Sequence, residues 1–216
     1  MPDILFLVTG FAIIFALFEI DSWTDRRRVN RLETWAKSQG FNFVHYDEPL
    51  GRELRDVLEL SGQDHRAVDI VAMPSRNGLC LYGNLKWEES GSDNNSSTCS
   101  CTFVRFDLPG SLPFFLAKPE GAMSRKYNDI NTEWDEFNRE WEIRSENRAF
   151  ALALLTPVMQ EFIMANMRGM ELRTHGGYAY GKMSSYTIEE SVAYHALMDD
   201  WYQRVPPFLW QGASFG

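Results

Sequence analysis

Fifteen consecutive residues without a charge, Ile4 to Phe18 (ILFLVTGFAIIFALF), constrain this chain more than any other stretch. A helix rises ~1.5 Å per residue, so the run alone falls short of a ~30 Å hydrocarbon layer, which takes about 20 residues. Counting Met1 to Ile20 supplies the length, with Asp3 and Glu19 at headgroup depth and Trp23 in the interfacial belt. A cleaved signal peptide fits poorly: the chain begins Met1-Pro2-Asp3, with no basic lead, and the run ends Leu17-Phe18-Glu19, with no small-residue cleavage site. No cysteine stands there for a lipoprotein signal. A buried core helix is the competing reading, since fifteen residues falls between core-helix and span lengths. The expectation is a transmembrane helix over residues 1–21, with the lipid bilayer as its first partner.

Basic residues are retained on the cytoplasmic side of a span. Arg26, Arg27, Arg28 and Arg31 all follow the run and nothing basic precedes it, which puts the N-terminus outside and the C-terminal domain in the cytoplasm. Arg26, Arg27 and Arg28, with Trp23, are the expected membrane-interface residues, meeting anionic headgroups. Val29, Leu32, Trp35 and Ala36 keep helical spacing as far as Gly40, a C-cap candidate, so residues 22–40 read as a basic juxtamembrane helix.

Residues 41–210 then read as one domain, followed by a tail at 211–216. At 44% hydrophobic and 14% aromatic the chain has the material for one sizeable core. A formal charge of −9 opposes nucleic acid as a partner, because phosphate binding needs a basic face. Cys80, Cys99 and Cys101 form an odd set unlike a disulfide framework, consistent with a reducing compartment.

Alternation marks a first strand at Phe41 to Tyr46, and Leu50, Leu54, Val57 and Leu58 mark a short helix from Asp47, closed near Gly62. Three strands follow at Ala67–Met73, Leu79–Trp87 and Thr98–Leu108, the last two separated by a mobile polar loop at Glu88–Ser97. Leu112–Lys118 lies among Pro109, Pro113 and Pro119, which suits an edge strand, and Trp141–Arg144 is another brief strand. From Ser145 an apolar helical stripe runs through Phe150, Leu154, Val158 and Phe162, with Ala151, Leu155, Met159 and Ile163 on the adjacent line. Pro157 must kink that helix or restart it with Thr156 as N-cap. Glu171–Thr174 and Tyr178–Met183 read as a hairpin across His175-Gly176-Gly177, and a final helix begins with the capping pair Thr187 and Glu190. Strands followed by helices, without regular alternation, give an α+β domain: a mainly antiparallel sheet packed with two or three helices.

No P-loop, dinucleotide fingerprint, H-E-x-x-H or G-x-S-x-G is present, so no catalytic, cofactor-binding or metal-ligating residues are assigned and no cofactor is expected. Cys99 and Cys101 would share a strand face, with Cys80 on a neighbouring strand, but no histidine has zinc-like spacing to them. His195 and Asp199, four apart, read as a helix-stabilising pair. The best surface candidate is the acidic and aromatic stretch holding Glu133, Trp134, Asp135, Glu136, Phe137 and Trp141, a recognition surface for a basic partner. The competing reading buries the rings as core and leaves the acids as a solvated rim.

The run Asn138–Ile163 (NREWEIRSENRAFALALLTPVMQEFI) resembles uncharacterised single-span membrane proteins of actinobacteria. The arginine-rich exit with Trp35-Ala36, Gly40-Phe41, Phe114–Glu120 and Arg204–Trp210 extend the resemblance over nearly the whole chain. It implies a helical anchor plus an α+β domain of unknown function and no catalytic residues; the polar loop at Gly91–Ser97 and the cysteines depart from it. The leading expectation is therefore a membrane-anchored, non-enzymatic interaction protein. It would be an accessory subunit of a larger membrane complex, such as a respiratory one, with a protein partner in the membrane. The alternative is a membrane-tethered enzyme or ligand sensor; a third, lipid or envelope-precursor handling, requires an apolar tunnel.

Overall fold

The computed structural model describes residues 26–90, 96–121, 130–184 and 187–211. The expected span, Trp23 and residues 212–216 lie outside the described residues. Two compact units divide the chain, Met1–Phe41 and Asn42–Gly216. Among the described residues no single helix is long and apolar enough to cross a membrane.

In the first unit, the described part of α1 (26–38) carries Arg26, Arg27 and Arg28. It ends as its sequence requires: Gly40 adopts φ +74°, which glycine accepts without a Cβ penalty, and the Phe41 amide donates to the Ala36 carbonyl at 2.9 Å. Trp35 meets Phe41 edge-on at 5.7 Å, and Lys37 pairs with Glu33 one turn back at 2.6 Å.

The second unit is α+β, built on a six-stranded sheet in which every paired neighbour is antiparallel. β1 (Asn42–Asp47), β2 (Gln63–Ser75), β3 (Gly78–Ser90) and β4 (Ser96–Pro119) follow one another across it. β5 (Trp141–Ser145) pairs with the second half of β4, and β6 (Glu171–Met183) runs along β4 on its other side. Between β1 and β2 lies α2 (Glu48–Leu58); α3 (Asp135–Glu140) precedes β5, and α4 (Arg148–Leu154) and α5 (Pro157–Asn166) follow it. α6 (Ile188–Arg204) comes last, before a 3-10 turn at Pro207–Gln211.

Side-chain period decides which helix covers which face. Leu50, Leu54 and Leu58 of α2 pack on Leu85, Trp87, Cys101, Phe103 and Tyr180, residues that cross-strand pairing places on one side. Helices α4 and α6 take the other side, where Phe150 meets Phe115 edge-on at 6.4 Å and Tyr202 meets Phe106 at 6.3 Å. α5 packs against α6, with the Arg204 guanidinium 4.4 Å over the Phe162 ring. Gly51 of α2 is required by this packing, because a Cβ there would sit 2.5 Å from the His65 carbonyl oxygen.

Several sequence expectations are corrected. Leu112–Lys118 is not a separate edge strand: it is the second half of the 24-residue β4, flanked by β5 and β6. Pro109 and Pro113 are tolerated because the β4–β6 register shifts between Asp107 and Leu112 and again before Phe115, so their missing donors fall where the ladder is already interrupted, and Pro119 is the last residue of the strand. His175-Gly176-Gly177 is not a hairpin turn either. β6 runs through it without a break, with Gly176 at φ +59° paired to Leu112 where the β4–β6 register shifts. α2 closes at Glu59 in the left-handed conformation (φ +53°), not at Gly62. The helix expected from Ser145 begins at Arg148, capped by Asn147, whose side chain accepts from the Phe150 amide at 2.9 Å.

Candidate functional site

Two concave regions of the second unit gather chemistry, and they are built differently. The first lies at the C-terminal end of α2, a cleft of about 730 Å³ lined by Asp56, Glu59, Phe114, Arg144, Glu146 and His175. Beside it runs a ladder of charge. Arg173, only 4% exposed, donates to the Val57 carbonyl at 2.6 Å and to Glu171 at 2.7 and 2.5 Å, and lies 3.2 Å from Glu59. Glu59 also faces Arg144 at 3.7 Å, Arg144 pairs with Glu142 at 2.9 Å, Glu142 with Lys118 at 3.1 Å, and Glu171 with Lys182 at 3.6 Å. Engagement of the Glu59 carboxylate by two arginines accounts for a non-glycine residue ending α2. Further along the same face, Tyr180 donates to Glu53 at 2.8 Å, and Arg105 holds that carboxylate at 3.2 Å while stacking over Tyr178. Burial, reinforced by Glu53, pushes the Tyr180 hydroxyl well above the usual phenol range. Burial likewise pushes the Cys101 thiol up to about 11, with Lys182 opposing and Glu171 adding.

The second region is a groove of about 780 Å³ at the corner between α4 and α5, walled by residues 131–134. The corner exists because Pro157 cannot continue α4. Thr156, restricted by the following proline to an extended conformation, caps α5 by accepting from the Met159 amide at 3.3 Å. The helices meet at 75°; their combined hydropathy matches a membrane span, yet Phe150, Leu154, Met159, Phe162 and Ile163 are buried in the domain. Gln160, 7% exposed, locks the corner. Its amide donates to the Leu155 carbonyl at 2.8 Å, and its Oε1 lies 3.0 Å from the Thr132 hydroxyl. Asn138 holds the opposite wall, its amide donating to the Thr132 carbonyl at 2.8 Å and its Oδ1 accepting from the Thr132 amide at 2.9 Å.

Here the acidic and aromatic residues separate. Phe137 and Trp141 are buried in the core, and only Trp134 of the three rings reaches the groove; the rings nonetheless form one stack, Trp134 on Phe137 at 6.2 Å and Phe137 on Trp141 at 6.4 Å. Glu133, Asp135 and Glu136 are exposed, and Glu133 lines the groove. Sequence reading missed Leu152, Leu155, Pro157 and Glu161, the remaining wall. The one available signal was that Leu152 and Glu161 lie off the buried stripe of their helices.

Other candidates fall apart in space. Cys80 pairs with Phe106 on the α6 side of the sheet, whereas Cys99 and Cys101 pair with Trp87 and Leu85 on the α2 side. His195 and Asp199 do not meet each other: His195 Nε2 lies 3.1 Å from the Pro74 carbonyl and Asp199 pairs with Arg76 at 3.5 Å, so both tie α6 to the β2–β3 turn.

No family model matches the chain, and no curated protein matches it in sequence. Among solved structures, the fold is similar to that of the mycobacterial trehalose monomycolate transport factor A, TtfA. The TM-score is 0.55 at 14% identity, covering 84% of this chain and 98% of that one. At that identity the likeness establishes a fold shared with an actinobacterial protein.

Proposed function

We propose that this chain is a membrane-anchored, non-catalytic interaction protein, an accessory subunit of a larger membrane complex. The observation that carries the reading is the fold: nearly the whole of a protein named as a transport factor superposes on it. Three sequence features fit: an apolar run of marginal span length, an arginine cluster directly after it, and a resemblance to single-span actinobacterial proteins. Of the settings for such a subunit, transport of a molecule like trehalose monomycolate draws support from the neighbour's name; a respiratory complex rests on architecture alone. The test is purification of the full chain in mild detergent with identification of what stays bound. A stoichiometric integral membrane protein is expected, and its absence would overturn the reading. Topology is tested separately by protease added to intact cells: the C-terminal domain is expected to survive until the membrane is opened.

The cleft lined by Asp56, Glu59, Arg144 and His175 favours a second reading, a sensor for a small polar ligand. Replacing Asp56, Glu146 and His175 together with alanine discriminates. An unchanged cellular phenotype removes the sensor and leaves the accessory role standing.

A further inference from the structure

We infer that the corner between α4 and α5 is a docking groove for an apolar side chain carried on a Lys/Arg-rich segment of a membrane-protein partner. That the donor is a membrane protein rests on the accessory-subunit reading; the chemistry of the groove does not.

The groove presents apolar surface that the fold leaves uncovered. Trp134 and Pro157 line it with Leu152, which is 42% exposed, and Val158 next to Pro157 is 60% exposed, while Leu155, also in the lining, is buried. Contiguous apolar surface with a polar rim is the usual composition of an interaction site. Its walls are already fixed by the Thr132, Asn138 and Gln160 hydrogen bonds, so little ordering cost attends binding.

Charge selects the occupant. Glu133 and Glu161 line the groove, and Asp135 and Glu136 follow Trp134 in the first turn of α3. None of the four forms an ion pair among the described residues, and Arg148 is the sole cation in the lining. A segment bringing lysines and arginines around its apolar anchor answers that excess. Cytoplasmic segments flanking membrane spans carry such an excess as a class, so a partner in the same membrane presents the required chemistry.

The test uses the full-length chain in a zwitterionic detergent and a labelled 12-residue peptide with a Leu-Phe core flanked by four Lys/Arg. Its control has those four replaced by Glu. All variants share the micelle, so partition into detergent cancels. The basic peptide is expected to bind, and to bind about tenfold more weakly to both the E133K/E161K double variant and Leu152→Asp, with melting temperatures unchanged. The Glu peptide is expected to bind only the double variant. Equal binding of the basic peptide to wild type and double variant would overturn the inference, as would equal binding of both peptides to wild type. A photo-reactive residue replacing Leu152 in cells supplies the second arm: the adduct is expected in a basic segment of a membrane protein. An adduct within the same chain, within a second copy, or in a segment with no basic excess overturns the inference. A partner that co-purifies undiminished with the double variant removes the groove while the accessory role stands. No co-purifying partner, with the peptide results as expected, removes the role while the groove stands.

Discussion

The charged ladder beside α2 and the groove at the α4–α5 corner contain similar residue types and use them in opposite ways. Along the ladder, Glu59, Glu142 and Glu171 each face two basic groups, and Arg173 spends its donors on protein atoms. At the corner, Glu133 and Glu161 stand beside uncovered apolar side chains. Buried charge must be answered within the fold, because desolvation without a partner is costly; charge at a rim carries no such obligation and is free to answer something external. The ladder is thus a device for holding α2, β5 and β6 together, and the corner is where the molecule has recognition capacity to spare.

The comparison breaks most visibly at Arg173. Arg173→Met leaves Glu171, 14% exposed, without its arginine and strips the Val57 carbonyl of its donor, so a loss of about 3–5 kcal/mol in urea unfolding is expected. Arg173→Lys should recover only part, since an ammonium cannot reproduce the paired contacts to Glu171. A loss below about 1 kcal/mol would mean the ladder is no more than surface decoration.

Alkaline pH probes the same face next. Burial pushes the Cys101 thiol up to about 11, above the ordinary thiol range of about 8.5, so its contribution is intact below about 9 and is lost as pH rises through 11, at about 2–3 kcal/mol in all. Cys101→Ala is expected to flatten the fall in stability between pH 9 and 11 relative to wild type; parallel curves would show that burial there is incomplete.

At the corner, Gln160→Leu removes one bond to the Leu155 carbonyl and one contact to Thr132, at an expected cost of about 1–2 kcal/mol by thermal melting. Smallest of all is E133K/E161K, which touches no pair and should stay within about 0.5 kcal/mol of wild type. Should it destabilise as much as Arg173→Met, the contrast between the two regions would vanish.

Much of the fold was legible where a local signal fixed a local outcome. Gly40, the Thr156 cap and the Thr187–Glu190 pair ended or began helices as their local chemistry dictates. Illegible was what depends on partners distant in sequence. Pro109, Pro113 and Gly176-Gly177 read as punctuation, yet they fall at one shared interruption of two long strands, and only the pairing of β4 with β6 reveals it. The candidate site behaved likewise. Trp134 and Glu133 were accessible to composition, while Leu152 and Glu161 come from the far side of a bend whose angle no periodicity encodes.

β4 holds two stretches with a partner strand on each flank, parted by one interruption. Thr102–Phe106 are matched to β6 and to β3, and Phe115–Ala117 to β6 and to β5. Deuterium uptake along this strand should therefore be slow in those two stretches and faster between Leu108 and Phe114, so that the two ends of one strand report separately on the layers they join.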